Sequence, residues 1–225
     1  MKHLYLRALR SSLIGTVIFL ALIFIPAGTL YYWQGWLFMA IFVAGTIVVT
    51  TYLAIYDPKL LERRMRAGPG AEKQRAQKII MAITFVGFAA IPVVSALDHR
   101  FGWSGVSPTI SLIGDALVCL SYVLIFFVFR QNSFAASTIQ VVEGQKVVSS
   151  GFYAFVRHPM YAGALPMLFG APLALGSFYG VIVVVVFFPV IVWRLLNEEN
   201  YLHKHLSGYT EYTRTVRWRL LPGIF

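Results

Sequence analysis

Uninterrupted apolar stretches, each long enough to cross a bilayer, are the dominant feature of this sequence. The first four runs, of about 20 residues each, are 12–32, 35–55, 78–97 and 109–129. A fifth stretch, from Pro159 to Trp193, is interrupted only by GSFYG at 176–180, which predicts two shorter helices joined by a tight turn. We therefore predict an all-α, polytopic integral membrane protein with about six transmembrane helices, or five if the last pair is re-entrant.

The composition agrees with a membrane protein and excludes several other classes. Hydrophobic residues make up 58% of the chain and charged residues 12%, whereas soluble domains have about 25% charged residues. The formal net charge is +10, but the cations flank the apolar runs, so nucleic acid is not an expected partner. Cys119 is the single cysteine, which excludes an intrachain disulfide and a cysteine-based zinc site, and no metal is expected.

The distribution of positive charge predicts the orientation of the chain. Of the 19 lysines and arginines, 18 lie in the N-terminus, in 57–78, in 130–157 and in the tail that begins at Arg194. The other cation, Arg100, lies in the predicted turn at 98–108. Because cytoplasmic loops carry an excess of Lys and Arg, both termini and the two long loops are predicted to be cytoplasmic.

Polar groups are concentrated next to the last apolar stretch. They are Asn132, Gln140, Glu143, Gln145, Arg157, His158, Glu198 and Glu199. Ionisable groups at membrane depth are costly, so they are usually functional or paired. In RHPMYAG at 157–163, Pro159 suits the first turn of a helix with His158 as its cap, and the free N–H groups there could face a polar cofactor.

Small residues recur at helical spacing along this predicted helix, as Pro159, Gly163, Pro166 and Gly170. This stripe favours close packing against another helix. Further along, Arg194 and Glu198 are four residues apart, which predicts a shared helix face with Glu199 turned about 100° away. The basic, tyrosine-rich tail after them predicts a cytoplasmic amphipathic helix that closes a pocket.

Two motifs in this region resemble the isoprenylcysteine carboxyl methyltransferase family and its bacterial relatives. The first is GQKVVSSGFYAFVRHPMYAG at 144–163, and a hydrophobic hairpin follows it. The second begins at Arg194-x-x-x-Glu198-Glu199 and continues to Gly208-Tyr209-x-x-Tyr212 and Pro222. The resemblance covers about 130–225 and divides the chain into an N-terminal four-helix transmembrane region, 1–130, and a C-terminal methyltransferase region, 131–225.

The resemblance implies a membrane methyltransferase that uses S-adenosylmethionine, releases S-adenosylhomocysteine and needs no metal. The acceptor would be lipid-borne or apolar. Arg194 and Glu198 would position the acceptor and catalyse, and a bidentate grip by Arg194 on an acidic group favours carboxylate O-methylation. The residues implied to bind the cofactor are Gln145, Val147, Gly151, Tyr153, Arg157, His158, Tyr161, Gly163, Glu199 and Tyr212.

Three alternatives remain open at this point. One is a phospholipid or small amine or thiol N- or S-methyltransferase, another a membrane reductase that uses NADPH, and the third a non-enzymatic channel or scaffold. Gln145 and Phe152 stand where the eukaryotic pattern has His and Pro, which leaves the acceptor undetermined. The expected location is the bacterial inner membrane, with membrane lipids and a lipophilic acceptor as partners. The sequence does not determine the oligomeric state.

The charge distribution generates a topology prediction. Reporter fusions at Met65, Gln145 and Thr210 should report a cytoplasmic location, and a fusion at Trp103 an external one. Fusions that put Gln145 and Thr210 on opposite sides of the membrane would contradict the shared pocket.

Overall fold

The computed structural model describes residues 2–72 and 74–225, so Met1 and Lys73 of the predicted N-terminal region lie outside the described residues. The described ranges contain eight α-helices and no strand, which confirms the all-α prediction. They also contain two short 3₁₀ helices, Pro69–Ala71 and Gly151–Ala154. The helices are α1 (Lys2–Ala27), α2 (Trp33–Tyr56), α3 (Pro58–Met65), α4 (Arg75–Phe101), α5 (Pro108–Gln131), α6 (Pro159–Ala174), α7 (Phe178–His205) and α8 (Tyr209–Thr215).

Five of these helices, α1, α2, α4, α5 and α7, are long and apolar enough to cross a membrane. Many of their apolar side chains, such as Val17, Val86 and Val186, are exposed, as lipid-facing side chains are. Helix α6 has 16 residues, a length of about 24 Å against a hydrocarbon core of about 30 Å. By length and composition, five helices in the described part of the chain qualify as spans, and α6 is shorter than the hydrocarbon core.

The last apolar stretch forms the predicted pair of helices, with the turn at 175–177. The second helix is not short, because α7 continues through the polar residues to His205. Leu195 and Glu199 are buried there, so tertiary packing keeps this segment helical. Helix α1 ends at Ala27, earlier than the predicted apolar limit, because Gly28 adopts a φ of +67° that ends the helix.

The connections between helices divide the bundle into two ends. The short turns 28–32, 102–107 and 175–177 meet at one end, where Tyr32 donates to the carbonyl of Leu175 and Asp98 accepts from Ser177. The longer segments 57–74, 132–158 and 206–225 therefore lie at the opposite end, here called the site end. All the predicted site residues except Gly163 lie in or next to these long segments.

Glycines bring α5 and α6 into close contact. A Cβ on Gly170 would lie 2.7 Å from the carbonyl oxygen of Gly114, so only glycine fits there without a shift. The hydroxyl of Ser121 donates to the carbonyl of Gly163 at 2.6 Å. These contacts confirm the interpretation of the small-residue stripe as a packing surface, and they fix the start of α6 at the site end.

Gly170→Ala should lower the free energy of unfolding by about 1–3 kcal/mol, because its methyl group would push α6 away from α5. Gly15→Ala on α1 is the matched control, since a Cβ there meets nothing within 4 Å and alanine favours helix. Apparent unfolding temperatures in detergent should fall for the first variant only. Equal effects of both substitutions would contradict the packing role.

Candidate functional site

A pocket at the site end collects most of the residues predicted from the sequence. Its walls come from the 132–148 segment, the start of α6, the end of α7 and helix α8. The predicted residues that line it are Gln145, Val147, Tyr153, Arg157, His158, Tyr161, Glu198 and Tyr212. The other predicted residues, Gly151, Gly163, Arg194 and Glu199, are not part of its lining.

Helix α6 begins at the pocket, as the RHP motif predicts. Pro159 occupies the first helical turn and His158 the capping position, although the His158 side chain makes no capping bond. Its Nε2 lies 3.4 Å from Glu199 Oε1 but, among the described residues, has no partner in hydrogen-bond geometry. A buried ring nitrogen and the first N–H groups of a helix therefore lie beside the pocket.

Three buried tyrosines supply neutral polar groups. Tyr153 accepts a hydrogen bond from Asn132 Nδ2 at 2.8 Å, and Tyr212 donates to the carbonyl of Tyr153 at 2.7 Å. Burial raises the pKa of Tyr153 to about 12 and raises the pKa of Tyr212 as well, so both hydroxyls stay protonated at neutral pH. The buried hydroxyl of Tyr209 has no hydrogen-bond partner in the part of the chain that the structure describes.

Glu198 contributes a carboxylate to the pocket. Its Oε2 accepts a hydrogen bond from the hydroxyl of Tyr161 at 2.8 Å, and both residues line the cavity. Glu198 is only partly buried, so its second oxygen can reach solvent or a ligand. This carboxylate makes the wall formed by α7 a place for a positively charged or hydrogen-bond-donating group.

Glu199, the next residue, faces away from the pocket into a cluster of cations. It is 4% exposed, and its oxygens accept from Arg157 Nη1 at 3.1 Å and from Arg219 Nε at 2.7 Å. Glu199 therefore neutralises neighbouring side chains, and the structure gives it no direct contact with the pocket. Helix geometry separates its side chain from that of Glu198 by about 100°, as predicted.

Arg157 holds the C-terminal tail against the pocket. Besides Glu199, its guanidinium donates to the carbonyl of Val216 at 2.7 Å and to that of Thr213 at 2.9 Å. Backbone bonds from Arg157 to Trp218 and from His158 to Arg219 continue the contact. The predicted amphipathic helix is thus a seven-residue α8 followed by a non-helical strap, and its buried Tyr209 and Tyr212 wall the pocket.

Arg194 and Glu198, which are predicted to share a helix face, do not form an ion pair with each other. Arg194 is 8% exposed and donates to Glu72 Oε1 at 2.9 Å, Gln77 Oε1 at 3.1 Å and the carbonyl of Ser137 at 3.0 Å. Helix α7 packs against α4, which brings Gln77 and the segment before it within reach of this long side chain. Glu72, Gln77 and Ser137 are not among the residues predicted from the sequence. The available signal was weak: an acidic residue within a basic loop.

Two predicted glycines serve the backbone instead of lining the pocket. Gly151 has a φ of +60°, and a Cβ there would lie 2.5 Å from the side chain of Gln131. A Cβ on Gly163 would lie 3.2 Å from Leu124 on α5. A turn with positive φ favours glycine at 151 and close helix packing favours it at 163, so each glycine has a structural reason that needs no cofactor contact.

The comparisons with known proteins fall on this same region. A family model described as phospholipid methyltransferase matches residues 110–208, a little under half of the chain. The matched range contains α5, α6, α7 and most of the pocket lining. The similarity is therefore to membrane methyltransferases, the broader group that includes the isoprenylcysteine carboxyl methyltransferases. It agrees with the predicted resemblance at that level.

Two relatives of this chain belong by name to a different class of enzyme, the sterol reductases. The chain is 26% identical over 161 residues to the Delta(14)-sterol reductase TM7SF2 of Mus musculus, which covers 64% of this chain and 38% of the relative. It is 25% identical over 171 residues to the Delta(14)-sterol reductase of Arabidopsis thaliana, covering 67% and 44%. The chain thus spans less than half the length of these two relatives.

Glu199→Gln should release the tail, because Arg157 and Arg219 would lose their shared counter-charge. We expect a loss of about 3 kcal/mol in the free energy of unfolding and faster protease cleavage after residue 206. Glu211→Gln, an exposed position on α8, is the control and should leave the cleavage rate unchanged. An unchanged cleavage pattern in Glu199→Gln would mean that the tail is held by other contacts.

Proposed function

We propose that the protein is an S-adenosylmethionine-dependent methyltransferase of the membrane that methylates a lipid-borne or apolar acceptor. One observation carries the proposal: a single pocket is lined by residues from both motifs that resemble methyltransferases, in the region matched by the methyltransferase family model. The isoprenylcysteine carboxyl methyltransferases are the members that these motifs resemble.

The polar groups at the pocket suit this cofactor. S-adenosylmethionine carries an amino group, a carboxylate, ribose hydroxyls and an adenine, and so needs several donors and acceptors. His158 Nε2 and the Tyr209 hydroxyl are buried polar groups without partners in the described residues, and such groups normally find one. Gln145, Tyr161 and the N–H groups at the start of α6 complete a set that would hold it.

The chain's own residues would align the reactants and exclude water. S-adenosylmethionine supplies an electrophilic methyl group on a positively charged sulfonium. Glu198 and the faces of the pocket tyrosines are compatible with that positive charge. Helix α8 and the strap behind it would shield the site, and an in-line displacement needs alignment and desolvation more than a strong acid or base.

The geometry bears on the class of acceptor. The motif resemblance favours carboxylate O-methylation with Arg194 as the grip, whereas the matched family model concerns phospholipid methylation. Arg194 is already neutralised by Glu72, and the charged side chain of α7 that lines the pocket is Glu198. On the α7 wall these features favour a lipid amine over a carboxylate, whereas Lys146 and Arg157 line other walls of the pocket.

We further propose that the site end faces the bacterial cytoplasm, with both termini and α8 on that side. The charge distribution supports this orientation, because the charged segments 57–74, 132–158 and 206–225 all lie at the site end. Helix α6 would then run from the cytoplasmic side to the turn at 175–177 at the opposite end, and α7 would return to the cytoplasmic side. Residues 131–225 would carry most of the cofactor contacts, on a support formed by 1–130.

A nicotinamide-dependent membrane reductase is the second candidate, and the similarity to two sterol reductases favours it. The same polar pocket could accept a dinucleotide in place of S-adenosylmethionine. The two candidates differ in which cofactor stabilises the folded protein, since a ligand that binds only the folded state raises the unfolding temperature.

We expect S-adenosylhomocysteine, but not NADPH, to raise the unfolding temperature of the purified protein. Tyr209→Phe should weaken S-adenosylhomocysteine binding about threefold to tenfold, since one hydrogen bond is lost, without lowering the stability of the free protein. Tyr201→Phe, outside the pocket lining, is the matched control. Stabilisation by NADPH alone would favour the reductase and reject the methyltransferase.

A further inference from the structure

Glu72 is a buried carboxylate that joins the N-terminal half of the chain to the pocket wall. It precedes α4 and is 3% exposed. Its Oε1 accepts from Arg194 Nη2 at 2.9 Å, and its Oε2 accepts from the backbone N–H of Ile139 at 3.3 Å. Ile139 lines the pocket, so one side chain contacts both α7 and the 132–148 segment.

Two carboxylates compete for Arg194. Glu198 lies one helical turn further along α7, at the spacing where Arg and Glu commonly pair on a helix. Arg194 instead binds Glu72, and Glu198 accepts from Tyr161. Glu72 has the advantage because Gln77 and the Ser137 carbonyl accept two further guanidinium protons, whereas Glu198 is partly solvated.

We propose that Glu72 is a positioning residue that holds Arg194 out of ion-pair contact with Glu198 and thereby keeps a carboxylate without an ion-pair partner on the pocket wall. The proposal rests on the proposed function in one respect, that the α7 wall of the pocket receives a positively charged cofactor or acceptor. It adds a residue outside both motifs and outside the matched range 110–208. The pairing state of the Glu198 carboxylate is then set by a side chain that does not line the pocket.

The role of Glu72 depends on what Arg194 does without its partner. An arginine cannot lose its proton, so a buried guanidinium that has lost one carboxylate takes another within reach. In Glu72→Gln that carboxylate is Glu198, one turn away on the same helix. The new pair would draw Glu198 from Tyr161 and neutralise the carboxylate on the α7 wall of the pocket.

Unfolding measurements test this pairing without any assay of activity. A double-mutant cycle of Arg194→Gln and Glu198→Gln is measured by thermal unfolding in detergent, in the wild-type and in the Glu72→Gln backgrounds. We expect the non-additivity of the two temperature shifts to be larger in Glu72→Gln than in the wild type, by at least about 2 °C. Additive shifts in both backgrounds, or equal coupling in both, would overturn the proposal.

Two further variants make this cycle decisive. Glu62→Gln removes an exposed carboxylate that pairs with Arg66 on α3, and it should leave the coupling between Arg194 and Glu198 at its wild-type value. If Glu72→Gln does not fold, Glu72→Asp is used in its place, because it keeps the charge but shortens the reach. Coupling in Glu72→Asp must then exceed that in the wild type, and equal coupling rejects the proposal.

Methyl transfer gives the functional arm of the test. Turnover should fall at least about tenfold in Glu72→Gln, because the new pair removes the free carboxylate from the pocket wall, and it should stay at the wild-type level in Glu62→Gln. Wild-type turnover in Glu72→Gln would reject the positioning role. A wild-type protein that neither binds S-adenosylhomocysteine nor transfers methyl would reject the proposed function alone, while the unfolding cycle still decides the role of Glu72.

Discussion

The buried carboxylate of Glu199 is the interaction on which the arrangement of the site depends. It is placed by α7, and it accepts hydrogen bonds from Arg157, just before α6, and from Arg219 in the tail. A buried charge is tolerated only with such partners, so the three segments are stable in this arrangement together. Because Arg157 also binds the Val216 carbonyl, the position of the tail follows from the same carboxylate. The tyrosines of α8 reach the pocket only when the tail is held there.

Two neighbouring glutamates illustrate how helix geometry assigns different roles to the same side chain. Glu198 and Glu199 differ by one residue, which turns one carboxylate towards the pocket and the other towards the cations. The partners complete the distinction: Glu198 receives one neutral hydroxyl, and Glu199 receives two guanidinium groups and lies beside a histidine ring. A charged group with few partners is available to a ligand, whereas a fully paired one is structural. The double carboxylate of the motif thus combines one group that lines the pocket with one that holds the tail.

The sequence predicts those parts of the site that depend on local spacing. Apolar run length predicts the long helices, and Pro159 predicts where α6 begins. Local spacing could not predict the partner of Arg194, because Glu72 is 122 residues away and the competing Glu198 is four. Gly151 and Gly163 illustrate a second difficulty. In the sequence, a glycine favoured by a positive φ or by a close helix contact looks the same as a glycine that contacts a cofactor. Only the structure distinguishes these reasons.

The region that resembles methyltransferases is not sufficient to build its own site. Residues 110–208 contain α6, Glu198 and Glu199, but Glu72, Gln77 and Arg219 lie outside that range. These outer residues decide which carboxylates near the pocket are neutralised. Two sterol reductases share about a quarter of their residues with this chain over the aligned part, and a shared framework does not by itself fix the chemistry of a site. If the framework fixes where a cofactor lies, then the charges supplied from outside it, beginning with Glu72, determine which charged group the pocket accepts.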